Sequence, residues 1–506
     1  MATYQSHPRI DPEPVYAFVE NNQFTVRPVS PALREYLTRL TSYPTAQALA
    51  QKDGWRPPEA ASGGAAWDGW VRLARFHGEE AVIPTGLLGL VQTALAQTIT
   101  PLTVIENRVR PMEGIPEVFQ PIPLRGYQTL AVASGIREGR GVLDMPPRAG
   151  KTLTGLELVR QLALPTVWLA PTKNIVKQTL RAAEKWLGKG MAAQLTGSGW
   201  EAVAHVPIVI CTSATARMLP KEFYATRQVL LIDECHHTAA SSYYDIVARC
   251  PHIYYRYGMS GTFMRSGDDE LAMHGVLSNV IVKIEAMDLV RMGFLTPADV
   301  VYLPIAGPKA QGGQTFQTGA GRNGIYQHDY RNGLAAWAAV TCWSRRKQVV
   351  VLVGTKEQGR AIEEQVKQHV HRLPGAKWDA VEFVSTDRPD FVCQGAIDSF
   401  VEGTGVQVLI GTSMIGEGTD LPSAEVLIYA PGGKAEVPHA QASYRVCTAT
   451  PGKRRALIVD FADRHHEQLE EHAVERLNTY LSQPIFNVAV LPQPEDFPRW
   501  LDQRAA

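Results

Sequence analysis

The residues with the plainest chemistry are Gly150, Lys151 and Thr152, inside the stretch "GVLDMPPRAGKTLTGLELV" (141–159). Glycine, lysine and a hydroxyl in that order form the tail of a phosphate-binding loop. Backbone N–H groups wrap the phosphates, the lysine reaches the β and γ oxygens, and the hydroxyl holds magnesium. The tripeptide alone is weak, but its setting strengthens it. The apolar run "GVLDM" reads as a strand entering the loop, and "TLTGLELVRQL" as an amphipathic helix leaving it. Met145 stands where the full signature has its first glycine, and Arg148 where a small residue is usual. The first position mainly shapes the bend, while the helix N-terminus and the lysine supply the charge complement, so phosphate binding is expected to survive. Further along the chain, "QVLLIDECHH" ends an apolar run on Asp233 and Glu234. Two carboxylates at the mouth of a parallel sheet suit a magnesium ligand, Asp233, and a base, Glu234, that orients the water attacking a γ-phosphate. Thr152 and Asp233 are therefore the expected metal ligands.

Such a site needs a sheet to carry it. Between about 120 and 281, short β-branched runs ("GVLDM", "TVWLAP", "VPIVICT", "QVLLIDE") alternate with helical patterns such as "NIVKQTLRAAEKWL", which argues for a parallel sheet covered by helices. A second series, "QVVVLVG", "AVEFVS", "VQVLIGT", "EVLIYA" and "ALIVDF", begins near 347. The first hundred residues differ. "VYAFVENNQFTVRPV" suggests a hairpin, "SPALREYLTRL" a capped helix, and "WVRLARFHGEEAVIP" a second hairpin before the helix "TGLLGLVQTALAQ". The expected organisation is α/β. It has a small N-terminal α+β domain (1–112), a first α/β domain (113–300), a Gly/Gln-rich linker (301–330), a second α/β domain (331–490) and an irregular tail (491–506). Trp67 and Trp70 are expected as core aromatics flanking a turn at Asp68-Gly69.

The chain has 506 residues, 45% of them hydrophobic, and 50 basic residues balance 50 acidic ones. No global charge announces a polyanion, so any nucleic-acid surface must be a local groove. The six cysteines are scattered without a C-x-x-C pair, which suits reduced thiols in a cytoplasmic protein. No apolar run approaches the roughly 18 residues of a membrane span, and the N-terminus lacks the pattern of a signal peptide. Membrane association is not expected.

The motifs also occur in a familiar order. Asp233-Glu234-Cys235-His236 resembles a DExH box, and the chain resembles the superfamily 2 helicases across roughly 124–453. "LRGYQ" is similar to the adenine-reading motif, with Arg125 and Gln128; "LAPTKNIVKQ" to motif Ia; "ICTSAT" to the strand-contacting motif before the DExH box; and "MSGT" to the coupling motif. "IGTSMIGEGTDLP" resembles motif V, and "QASYRVCTATPGK" motif VI. The resemblance implies two tandem RecA-like domains, ATP and Mg2+ as cofactors, and Gly418 and Asp420 at the nucleotide. It assigns Pro171, Thr172, Thr212 and Thr412 to a nucleic-acid backbone, and pairs His236 with Gln441 in reporting the γ-phosphate. The N-terminal "AAWDGWVRLARFHGEEAVIPTGLLGLVQ" is similar to the UvsW-type helicases of tailed phages. This implies branch migration of forks, Holliday junctions or R-loops, single-stranded and branched duplex DNA as partners, other recombination or replication proteins beside them, and a monomer in the cytoplasm of a bacterial or phage-infected cell. A restriction or defence motor, a slow ATP-switched DNA clamp and an RNA helicase remain as alternatives.

Motif VI departs from the family pattern Q-x-x-G-R-x-x-R. Tyr444 replaces the glycine, Arg445 is kept, and Thr448 replaces the second arginine. Loss of such an arginine costs about a thousandfold or more in rate unless another group substitutes. Arg445, four residues after Gln441, is expected to face the same way on a helix and to serve as the finger, with Thr448 on part of that face and Lys453 and Arg454 as the next candidates.

Overall fold

The computed structural model describes residues 14–45, 68–98, 100–112, 114, 121–197, 199–235, 240–261, 270–305, 321–371, 380–412, 421–434 and 436–505. The chain divides into two compact units, residues 1–146 with 150–284, and 285–506 together with the tripeptide 147–149.

In the first unit the apolar runs form a seven-stranded sheet. From one edge the order is Ala192–Gln194, Ile208–Thr212, Thr166–Ala170, Val229–Asp233, Tyr255–Ser260, Arg140–Asp144 and Val280–Lys283. Every neighbouring pair is parallel. Strands such as Thr166–Ala170 and Val229–Asp233 are buried at every position, as both-face coverage by helices requires; this is why they read as continuous apolar runs rather than alternating ones. The covering helix Lys173–Leu187 buries Val176, Thr179, Ala183 and Leu187, a stripe at helical spacing. Because the strands run the same way, all their carboxyl ends open onto one edge of the sheet.

The second unit repeats the plan with seven parallel strands in the order Val381–Val384, Val408–Gly411, Val349–Leu352, Val426–Tyr429, Ala456–Ala462, Ala298–Pro304 and Phe486–Val490. Two parallel α/β sheets in tandem are therefore the architecture of the chain. Two expectations for this unit need correction. The strand Ala298–Pro304 runs through the expected boundary at 300/301 and is buried at all seven positions, so 301–304 is sheet core rather than linker. The irregular tail is a helix, Phe497–Ala505, whose Phe497, Trp500 and Leu501 join the second core. The Gly/Gln-rich stretch 306–320 lies outside the described residues.

The N-terminal module is a five-stranded sheet in the order Arg75–His77, Glu80–Pro84, Gln23–Arg27, Val15–Val19 and Leu102–Glu106. Both expected hairpins are present in it. The helix Pro31–Leu40 starts at Ser30, whose hydroxyl accepts from the Leu33 N–H. The module does not stand apart from the first parallel sheet: Val15, Ala17, Phe24 and Ile83 share one apolar cluster with Val142, Val167 and Leu169. At the junction a Cβ on Gly86 would lie 1.9 Å from the His274 carbonyl oxygen, so only glycine lets these backbones meet. Arg140 adds hydrogen bonds from Nη1 to the Asn21 carbonyl (2.9 Å) and from Nη2 to that of Tyr254 (2.8 Å). Trp70 is 43% exposed and is not a core aromatic, whereas Gly69, at φ 81°, makes the expected turn. Trp67 lies outside the described residues. No described helix is long and apolar enough to cross a membrane.

Candidate nucleotide and nucleic-acid sites

The strand Arg140–Asp144 delivers the chain into the phosphate loop, and the helix Lys151–Leu162 begins with Gly150 as its cap. Met145, at the position of the missing first glycine, is fully buried, and its N–H donates to the Ser260 carbonyl at 2.7 Å. It anchors the loop to the neighbouring strand. Arg148 and Gly150 both take left-handed backbone, at φ 71° and 79°. A Cβ on Gly150 would also come within 2.3 Å of the Gln128 amide nitrogen, so the glycine is required on two counts. Gln128 is itself nearly fully buried, and its Oε1 accepts from the Arg125 N–H at 2.8 Å. Arg125 and Gln128 thus stand at the start of the helix Gly126–Glu138, beside the phosphate loop.

Lys151 Nζ lies 3.0 Å from Glu234 Oε1, with both side chains mostly buried. Loop lysine and carboxylate pair, 82 positions apart in sequence (233 − 151), meet because their strands are two places apart in the same sheet. Glu234 holds φ 44°, a left-handed conformation that costs a non-glycine residue about 1–2 kcal/mol. In that turn the Glu234 N–H donates to Asp233 Oδ1 at 2.9 Å. Burial first, and then repulsion from Glu234, pushes the Asp233 carboxyl up to about 7, while Lys151 opposes the rise. Such a site has an excess of negative potential. The Asp233 carboxylate and Thr152 hydroxyl are hard oxygen donors of the kind magnesium takes, and the repulsion gives a cation a reason to bind, so these residues fit the ion.

One and two strands away from Asp233, the same edge carries two helix caps. Thr172, after Pro171, accepts from the Ile175 N–H at 3.3 Å and starts the helix Lys173–Leu187. Thr212 accepts from the Thr215 N–H at 3.2 Å. Thr212 pairs in register with Ala170, so the two caps sit on neighbouring strands. Their hydroxyls are engaged in capping, which leaves the first-turn N–H groups and Lys173 to meet a phosphate.

In the second unit Thr412 follows Gly411, which is in register with Leu352 on the next strand. The loop after Leu352 holds a further candidate that the motif order does not mark. There Gly354-Thr355 opens the helix Lys356–His371, with the Thr355 hydroxyl accepting from the Gln358 N–H at 3.1 Å. In the sequence its one signal is an echo: "LVGTKE" repeats the small residue, threonine and lysine of "LAPTKN". Gln441 and Arg445 both lie on the helix Glu436–Arg445 and are half-buried. Tyr444, in place of the glycine, is buried against Phe486, and its hydroxyl donates to Gln483 at 2.7 Å. Thr448 does not share the Gln441–Arg445 face: the helix ends at Arg445, and Thr448 bridges to Leu295. Lys453 Nζ donates to the carbonyls of Ala424 (2.6 Å) and Thr448 (3.2 Å), holding the turn. His236, Gly418 and Asp420 lie outside the described residues.

Residues 121–265 match the family described as Type III restriction enzyme, res subunit. The DNA 3'-5' translocase XPB2 of Sulfurisphaera tokodaii is 28% identical over 178 residues, which cover 35% of this chain and 39% of that protein. The ATP-dependent DNA helicase uvsW of Enterobacteria phage T4 is 20% identical over 464 residues, 82% of this chain and 88% of the other. In these matches the chain is similar to the superfamily 2 helicases. Its fold is shared with a fragment of a putative HsdR subunit of a type I restriction enzyme from Vibrio vulnificus, at 15% identity and TM-score 0.53, covering 84% of this chain and 79% of that one. The tandem parallel sheets are thus a fold shared with that restriction-enzyme fragment, and the stretch matched to the XPB2 relative spans only 39% of that protein.

Proposed function

We propose that this helicase uses ATP to translocate on and unwind DNA, and that its substrates are branched: forks, recombination intermediates or R-loops. The observation that carries the reading is the meeting of Lys151 with Glu234 at 3.0 Å, on the same sheet edge as the caps at Thr172 and Thr212. The loop N–H groups and Lys151 bind the β- and γ-phosphates, and Gln128 and Arg125 read the adenine. Thr152 and Asp233 hold Mg2+, which when bound neutralises charge on the phosphates. Glu234 orients the attacking water and takes its proton, and Arg445 stabilises charge on the transferred group. Pro171, Thr172, Thr212, Thr412 and, with them, Thr355 grip one strand by its phosphates and position it without reading sequence. His236 and Gln441 link nucleotide state to that grip, and Gly418 and Asp420 complete the nucleotide site.

The branched-DNA reading draws on the uvsW relative, which this chain covers over most of its length. The test compares ATP turnover with single-stranded DNA, RNA and forked duplex, and unwinding of the fork. Stimulation by DNA, with fork unwinding, is the expected result; stimulation by RNA alone overturns it. Affinity should fall with salt on a negative log–log slope, because phosphate contacts release counterions. A restriction motor is the second reading, favoured by the family match at 121–265. Co-purification of a nuclease would support it.

A further inference from the structure

The second unit contains a run of buried polar side chains that none of these roles uses. It starts at the loop after Val349–Leu352, where Gln358 Oε1 accepts from the Gly354 N–H at 2.8 Å. The same amide donates through Nε2 to the carbonyl of Ala430 (3.1 Å) and to Asn332 Oδ1 (3.2 Å). Arg331 Nη1 donates to that Ala430 carbonyl at 2.6 Å, and its Nε to Asp463 at 2.7 Å. Arg476 donates to Asp463 (3.3 Å), to Asp460 (3.0 Å) and, through Nη1, to the Gly433 carbonyl (2.7 Å). At the far end His439 Nε2 is 3.3 Å from Asp460 Oδ2, and His439 lies on the helix that carries Gln441 and Arg445.

Gln358, Arg331, Asp463, Arg476, Asp460 and His439 are all at most 1% exposed. Four buried charges and two buried polar groups are costly to desolvate, and replacing such a set by apolar side chains is often neutral or stabilising. Stability alone therefore does not explain the network. Its geometry suggests another use, because it has two ends: the turn at Gly354-Thr355 and the helix Glu436–Arg445. The chain between them is closed at every step by a hydrogen bond of 3.3 Å or less.

We propose that this network is a relay coupling the strand-gripping turn Gly354-Thr355 to the helix that presents Gln441 and Arg445, with Gln358 and His439 as its terminal positioning residues. The inference rests on the strand-binding and finger roles proposed above. A strand phosphate drawing on the Gly354-Thr355 turn pulls on Gln358, and through the shared Ala430 carbonyl on Arg331. The Asp463–Arg476–Asp460 cluster then shifts the loop at Gly433 and the helix at His439 together. In this way strand binding alters where Arg445 stands, and ATP turnover responds.

The test uses the full chain, measuring ATP turnover without nucleic acid and at saturating single-stranded DNA. Gln358→Met keeps the side chain's length and removes its bonds. His439→Phe keeps a ring against Tyr429 and Tyr480, which flank His439 at 4.8 and 4.5 Å, and removes the bond to Asp460. Each variant should retain unstimulated turnover and the KM for ATP but lose stimulation by about fivefold or more, the lower range of allosteric coupling. The double variant should be no worse than the weaker single, because both cut one chain. Wild-type stimulation in either folded variant overturns the relay, as does a double variant whose loss is the product of the two singles. If Gln358→Met fails to fold, His439→Phe decides alone. If the wild-type chain shows no stimulation by DNA or RNA, the strand-grip reading falls, and the relay with it.

Discussion

At 3.0 Å from Glu234, Lys151 relieves the crowded carboxylates, and in the proposed role it turns to the phosphates when nucleotide enters. Lys151→Ala should therefore abolish ATP turnover while the fold, read by circular dichroism, persists. Unchanged hydrolysis in the folded variant would remove the loop from the mechanism. Glu234→Gln keeps Asp233 and Thr152 for the metal, so it should bind ATP as wild type does while turnover falls by about a hundredfold or more. Weaker ATP binding than wild type would show that Glu234 is not the base. Lys453 carries a separate prediction. Burial pushes its amine down to about 8 from the ordinary 10.5. Between those values the unfolded chain holds a proton that the folded chain has released, so stability rises with pH through that window. Relative to Lys453→Met, the wild-type protein should gain thermal stability from pH 8 to 10.5. A Tm difference that stays flat over that range contradicts the burial argument.

The helix Glu436–Arg445 shows what spacing alone could and could not reveal. That Gln441 and Arg445 share a helix was legible from four-residue spacing. That the helix stops at Arg445 was not, since "VCTATPG" offers no glycine or proline until Pro451, and the turn is set by Lys453 bonding back to Thr448. Arg445→Ala should therefore cut turnover far more than nucleotide binding. Thr448→Arg should leave turnover unchanged, because the new side chain starts from the bridge to Leu295 rather than from the helix face. A large gain in rate for Thr448→Arg would show that the bridge does not fix its direction. The same contrast holds for the strands. "TVWLAP" and "QVLLIDE" announced themselves as long apolar runs. "YYRYGMS" and "ADVVYLP" did not: Arg256 in the one and Asp299 in the other look like surface residues. Arg256 is buried beside the Cys250 carbonyl, and Asp299 takes hydrogen bonds from Arg455 and Asn487. The charged members of the second-unit network were hidden for the same reason, since "IVDFADR" reads as a strand running out into solvent.

For the molecule as a whole, the N-terminal module is the part whose standing the structure changes most. Composition and patterning set it apart as an accessory, yet its inner face is continuous with the core beneath Val142 and Val167. Deleting it would strip the first motor sheet of that cover, so truncation is a poor test of what it does. A single substitution at the junction is better. At Gly86 a methyl group would meet the backbone oxygen of His274 at 1.9 Å and the Ser278 nitrogen at 2.8 Å, and neither is a flexible side chain that can move aside. Overpacking of this kind typically costs about 1–3 kcal/mol. Near Tm, each kcal/mol corresponds to about 2–4 °C for a unit of some 150–250 residues, so a drop of several degrees is expected for Gly86→Ala. The loss should fall on the transition that ATP and magnesium raise, because the module, Lys151 and the Asp233-Glu234 pair belong to one unit, and the transition that nucleotide leaves in place should stay put. Calorimetry with and without nucleotide separates the two. If Gly86→Ala instead yields a new low-temperature transition, with the nucleotide-sensitive one intact, the module folds on its own and the shared core does not couple it to the motor.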